Sequence, residues 1–208
     1  VRDKSSSDFD VIAVHQSPKL AYNFVAERIK IWMSNLFTRK NLFAVSIANT
    51  GSSITNLPEF KNADIVHLHW INQGFISLSE LQKIINSGKP IVWTMHDMWP
   101  ITGICHHSRS CVKYMTQCKV CPFLRKLWSK KDLSYKCFKR KKAIYASSST
   151  PINFVGCSQW LTLKAKDSAL TAKQTVLNIP NPININLFQP LSKLNARLQF
   201  NLPKNMKL

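Results

Sequence analysis

Two short apolar runs, each ending in a histidine and a second polar or aromatic residue, constrain this chain most. They read ADIVHLHW over 63–70 and IVWTMHD over 91–97. Both are too short for a core helix and are rich in β-branched and aromatic residues, so both are expected as strands. Between them, Ser77-Leu-Ser-Glu80 has the form of a capping box, in which a hydroxyl satisfies a free amide at a helix start. Leu78, Leu81, Ile84 and Ile85 then recur at helical spacing, and Gly88 and Pro90 suit the stop. Strand, helix and strand within about thirty residues make a βαβ unit with a right-handed crossover.

The remaining 208-residue chain is read around that unit. Ala63–Trp70 suits a strand covered on both faces, as in a parallel sheet. Residues 1–8 read as disordered, and Phe9–Val14 as a short strand. A helix is expected over Lys19–Phe37. Ala21, Val25, Ile29, Trp32 and Leu36 share one face, with Arg28, Lys30 and Asn35 on the other. That apolar face would pack on the core or lie on a membrane surface. Further on come a loop at Gly51–Pro58, a basic helix over Asp132–Ala146 and a strand at Ile152–Cys157. Ser158 caps a helix with Trp160, Leu161 and Leu163 on its apolar face, and Gln174–Ile179 is a fourth strand. Asn181-Pro182 starts a linker running through Pro190, and Lys193–Leu198 is a last short helix. The alternation gives an α/β class: a Rossmann-like, doubly wound parallel sheet. The expected organisation is one domain over 1–180, a linker over 181–190 and the start of a second domain over 191–208.

In open parallel sheets ligands gather beyond the carboxyl ends of the strands. His69 and Trp70 stand at one such end, His96 and Asp97 at the next. A histidine titrates near neutral pH, so a His–Asp pair can position a hydroxyl or donate to a phosphate. His67 is expected only to complete its strand.

Cys105, Cys111, Cys118 and Cys121 form a C-x5-C-x6-C-x2-C cluster. The last pair has the spacing that lets two thiolates reach one ion, and four thiolates would pin a long loop as a closed structural zinc site. Reduced thiols and disulfides are the other states open to them. His106 and His107 could substitute as ligands, while Cys137 and Cys157 stand apart.

The formal charge is +19, which attracts something anionic. Nine of the cations lie between Arg125 and Lys142, opposed only by Asp132 and interleaved with Leu127, Trp128, Leu133 and Phe138. Basic residues with apolar neighbours suit an anionic membrane surface. The charge comes with no helix-turn-helix, RNP or Cys2His2 pattern, so specific nucleic-acid binding is not expected. No apolar window reaches about 20 residues, so no span is expected, and the opening VRDKSSSDFD lacks the apolar core of a secretory signal.

HLHWINQGF, KPIVWTMHDMWPITGICHHS with its four cysteines, and NPIN-x-x-x-F at Asn181–Phe188 together resemble family 4 glycosyltransferases. The nearest subgroup serves bacterial exopolysaccharide assembly, colanic-acid-type enzymes included. The resemblance covers about Asp64 to the end. It implies a GT-B architecture of two Rossmann-like domains, with the acceptor on the N-terminal one and a nucleotide sugar on the other. It also implies retaining transfer of a hexose, no cofactor for chemistry and a lipid-linked or polysaccharide acceptor at the cytoplasmic face of the plasma membrane. By similarity His96 faces the donor sugar, and His69, Trp70, Asn72, Asp97 and Trp99 line the acceptor side. The first strand and glycine-rich loop of the family are not found here, and Gln73 replaces a usual glycine. The donor-binding carboxylates would lie past Leu208, so the chain is expected to be a fragment truncated at both ends and inactive alone. The alternative is a zinc-stabilised basic module for anionic membrane or nucleic acid.

Overall fold

The computed structural model describes residues 1, 7, 9–14, 18–125, 131–203 and 206. Four strands make one parallel sheet in the order β1-β2-β3-β4: Val66–Leu68, Ile91–Met95, Asn153–Gly156 and Thr175–Asn178. The α/β class and Rossmann-like parallel sheet are therefore as the alternation indicated. Six α-helices accompany them among the described residues: α1 (Pro18–Ser34), α2 (Pro58–Asn62), α3 (Leu78–Ile85), α4 (Leu133–Ala146), α5 (Gln159–Lys166) and α6 (Lys193–Gln199).

The strand order runs one way across the sheet. Right-handed crossovers then place α3, α4 and α5 on a single face. Side-chain contacts agree. On that face Trp93 stacks on Phe154 at 5.6 Å between ring centroids, and Tyr145 of α4 meets both rings. A Cβ on Gly156 would strike Thr162 of α5, so only glycine lets that helix lie so close. Leu81, Ile84 and Ile85 of α3 close the same core over Val66, Leu68 and Ile91.

Local signals explain the helix starts. The Ser77 hydroxyl accepts from the Glu80 amide, Ser158 from Leu161 and Asp132 from Tyr135. Gly88 takes the left-handed conformation (φ +77°) that ends α3.

Several expectations are overturned. Phe9–Val14 forms turn and irregular backbone rather than a strand, exposed or half-exposed. β1 is not covered on both faces. Val66 and Leu68 are buried but His67 is exposed, since all three crossover helices share the other side. On α5 Leu161 is buried, whereas Trp160 and Leu163 point to solvent.

The largest correction concerns α1. Of the two readings of its apolar face, packing on the core is overturned: Val25, Ile29, Trp32 and Leu36 are exposed, as is Ala21. The buried face is Leu20, Asn23, Glu27, Arg28 and Ile31. Its charges win the interior through backbone partners. Glu27 accepts from the Ile47 and Ala48 amides at 2.7 Å each, and Arg28 donates to the Val45 carbonyl and to Glu27 itself. Those bonds satisfy the Ile47 and Ala48 amides and the Val45 carbonyl, which offsets the cost of burying the pair. The helix stops at Ser34 because Leu36 and Phe37 adopt left-handed backbone (φ 53° and 57°).

Of the basic segment, Lys126–Lys130 lies outside the described residues. Lys136, Lys139, Arg140 and Lys142 are exposed on α4, but Lys141 is fully buried. The 181–190 segment is irregular and exposed.

Candidate functional site

His69 and His96 follow directly on the carboxyl ends of β1 and β2, which are adjacent strands of the sheet. Their rings meet at the surface. His69 Nδ1 lies 3.0 Å from His96 Nε2, so one ring donates and the other accepts. The His67 ring lies tilted against His69 at 4.2 Å between centroids, and His67 bonds Thr94 Oγ1 at 2.9 Å, extending the histidine row along the open sheet face. Burial first, then the neighbouring His67 and His96, lower the pKa of His69 and favour its neutral ring.

Asp97 is the hub behind this pair. One carboxylate oxygen accepts from the Trp70 indole at 2.9 Å and meets His106 Nδ1 at 2.6 Å; the other accepts from the Trp99 amide at 2.8 Å. Burial pushes its pKa up, but the His106 hydrogen bond and charge, with the Trp99 and Trp70 donors, outweigh this and hold it below the usual carboxylate value. His106 Nε2 reaches Ser46 Oγ at 3.1 Å, and the Trp99 indole donates to the Ser46 carbonyl at 2.8 Å. The network thus runs from the sheet ends through Ser46 to the backbone that Glu27 of α1 holds.

Six expected site residues are therefore gathered, in two layers. His69, Trp70 and His96 are exposed and Asp97 half-buried, while Asn72 and Trp99 are buried behind them. All six border one small pocket. The Asn72 side-chain oxygen in that pocket has no hydrogen-bond partner among the described residues. A wider groove of about 680 Å³ runs along the free edge of β1, lined by Phe60, Ile65, Ile71 and Phe75, and ends at the three histidines.

Sequence reasoning missed two members. In the sequence His106, beside Cys105, stands out only as a possible metal ligand. Ser46 lies in a stretch with no distinguishing pattern. A polar residue nine positions past Asp97, in a loop that folds back on itself, was the available signal for His106.

The cysteine loop is braced by Lys141. Its ammonium donates to the Trp99 and Thr102 carbonyls at 2.6 and 3.1 Å and sits 3.2 Å over the Trp99 ring. Burial pulls its pKa down to about 7. Cys105, Cys111, Cys118 and Cys121 all border one small cavity beneath this turn. Burial pushes the Cys118 and Cys121 thiols up to about 12. The donor set is right in kind for a closed four-thiolate site. Among the described residues, however, no three Cys, His, Asp or Glu side chains converge at ligating spacing.

No protein-family model matches the chain, and no solved structure matches it. Among the described residues no helix is long and apolar enough to cross a membrane. One comparison with a curated protein does carry a name. Over 112 residues the chain is 24% identical to a protein of Escherichia coli (strain K12) provisionally named as a colanic acid biosynthesis glycosyl transferase, WcaC, a match spanning 53% of this chain and 26% of that protein.

Proposed function

We propose that this chain is the acceptor-side part of a glycosyltransferase acting in cell-surface polysaccharide synthesis. The observation that carries the proposal is the His69–His96 contact at the carboxyl ends of two adjacent parallel strands, where α/β sheets bind ligands. The sequence likeness to a glycosyl transferase supports the same class. The reaction is retaining transfer of a hexose from a nucleotide sugar bound by a second domain. The acceptor is a lipid-linked or polysaccharide glycan, met at the inner face of the plasma membrane by a peripheral, cytoplasmic protein.

The roles follow from the chemistry. His96 faces the donor sugar across the cleft. Neutral His69 accepts a hydrogen bond from an acceptor hydroxyl, and Trp70 offers an aromatic face for a sugar ring. Asp97 lines the acceptor side and fixes Trp70 and, through His106, the wall behind. The unpaired Asn72 oxygen is an acceptor for a further hydroxyl. Cys105, Cys111, Cys118 and Cys121 would hold a structural zinc, which would serve as a clasp for the loop that carries them.

Titration of the chain with polyprenyl-diphosphate-linked sugars tests this. Saturable binding is expected, weakened roughly tenfold in His69→Ala by the loss of one hydrogen bond to an acceptor hydroxyl. Equal binding by the variant, or none by the native chain to any such acceptor, would overturn the proposal. Nucleotide sugars should yield no transfer with this chain alone. Elemental analysis of the purified protein should find about one zinc per chain; a metal-free protein with the same melting temperature would remove the clasp.

A further inference from the structure

The overturned face of α1 has a use. Tyr22, Val25, Ile29, Trp32 and Met33 form one stripe along the helix at three- and four-residue spacing, and Phe37 lies just past its end against Trp32. All six are at least 36% exposed. A contiguous apolar stripe of this size on a water-facing helix marks an interaction surface. Its chemistry selects the partner. From residue 18 to 43 the exposed charges are Lys19, Lys30, Arg39 and Lys40. The one acid in that span, Glu27, is fully buried and engaged with backbone amides and Arg28. The surface is thus apolar in the middle, basic at its margins and free of exposed acid. Aliphatic and aromatic side chains with flanking cations match the boundary of an anionic bilayer, where tryptophan seats at the headgroup level and lysine reaches back to phosphate.

We propose that α1 lies in the plane of an anionic lipid surface and is the element through which this chain binds membrane. This deepens the membrane partner of the function proposed above. It also joins membrane seating to the site: the inner side of the same helix carries Glu27, which holds Ile47 and Ala48 beside the Ser46–His106–Asp97 network.

Flotation of the 208-residue chain with vesicles of equal phosphatidylglycerol and phosphatidylcholine tests the assignment, with pure phosphatidylcholine as the reference. The chain should float with the mixed vesicles and remain below with the neutral ones. Ile29→Glu should lower partitioning roughly tenfold or more, since burial of one aliphatic side chain is lost and a like charge is gained. Lys30→Gln should lower it roughly fivefold. Leu163→Glu, on the equally exposed apolar side of α5, should leave it unchanged. Partitioning untouched by Ile29→Glu, or equal for both vesicle types, overturns the proposal. So does a concentration-dependent dimer that Ile29→Glu dissolves, without flotation of the native chain, because the face then belongs to a second copy. The readout uses no sugar and no acceptor, so failure here leaves the transferase proposal standing.

Discussion

The molecule holds itself together in two different ways. Around the sheet, Trp93, Phe154, Leu81, Ile84 and Tyr145 form a core of buried apolar and aromatic side chains. Around α1, residues 42–48 and the cysteine loop, a second cluster of Ile31, Val45, Ile47 and Ile104 is smaller. It is threaded with buried polar groups: Glu27, Arg28, Asn35 and Lys141. The first region is stabilised by removing area from water. The second depends on each buried charge finding its backbone partner. Removing one member should therefore hurt in different ways, by leaving a cavity in the first and an uncompensated charge in the second.

The largest effect is expected in the polar region. Glu27→Ala removes the acceptor of two buried amides and strands the Arg28 guanidinium. Breaking a buried pair in this way costs about 3–5 kcal/mol, measurable by urea denaturation. Loss of less than about 1 kcal/mol would show the pair to be hydrated and the contrast false. Leu81→Ala in the apolar core should cost about 3 kcal/mol, the usual range for a fully buried leucine. Its loss should not depend on salt or pH.

Lys141→Met comes next. It leaves the Trp99 and Thr102 carbonyls without their ammonium donor, at about 1–3 kcal/mol. It should also change the pH profile. Burial lowers the lysine to about 7 from 10.5 in the unfolded chain. Below pH 7 both states carry the proton and the burial penalty is fully present. Above it the folded chain releases the proton while the unfolded chain keeps it, so stability rises with pH. The rise should end near pH 9, the unfolded thiol value, because Cys137, pushed up to about 11 by burial, then resists an ionisation open to the unfolded chain. Urea melts at pH 7 and pH 9 should show the native chain gaining stability and Lys141→Met gaining none.

The same contrast decides what could be seen in the sequence. The β2 strand, the α3 face and the Ser77 and Ser158 caps are all legible because periodicity and capping report apolar burial and free amides directly. The α1 face is not legible that way. Its exposed side is more apolar than its buried side, so a hydropathy rule points it backwards; only the Glu27–backbone bonds, set by residues twenty positions away, decide its direction. At the site, His69, Trp70, His96 and Asp97 were legible from the rule for strand ends. His106 and Ser46 were not, because they arrive from the polar region, where contacts are made by fold-back rather than by register.

The smallest expected effect lies where the two regions meet. His69 is lowered below its ordinary value of 6.5 by burial and by His67 and His96. As pH falls through 6.5, the unfolded chain gains a proton on this residue while the folded chain resists it, so stability declines until the lowered folded value is passed. Asp97 titrates lower still, because its pKa lies below 3.8, and its contribution is lost only in stronger acid. Acid melts should therefore show two separate losses. His69→Gln should flatten the first and keep the second, since glutamine preserves a polar partner for His96 without a titrating ring. If both losses vanish together, the sheet-end histidines and the Asp97 network form one unit. If only the first vanishes, the histidine pair belongs energetically to the sheet, and the polar region supports it without sharing its protons.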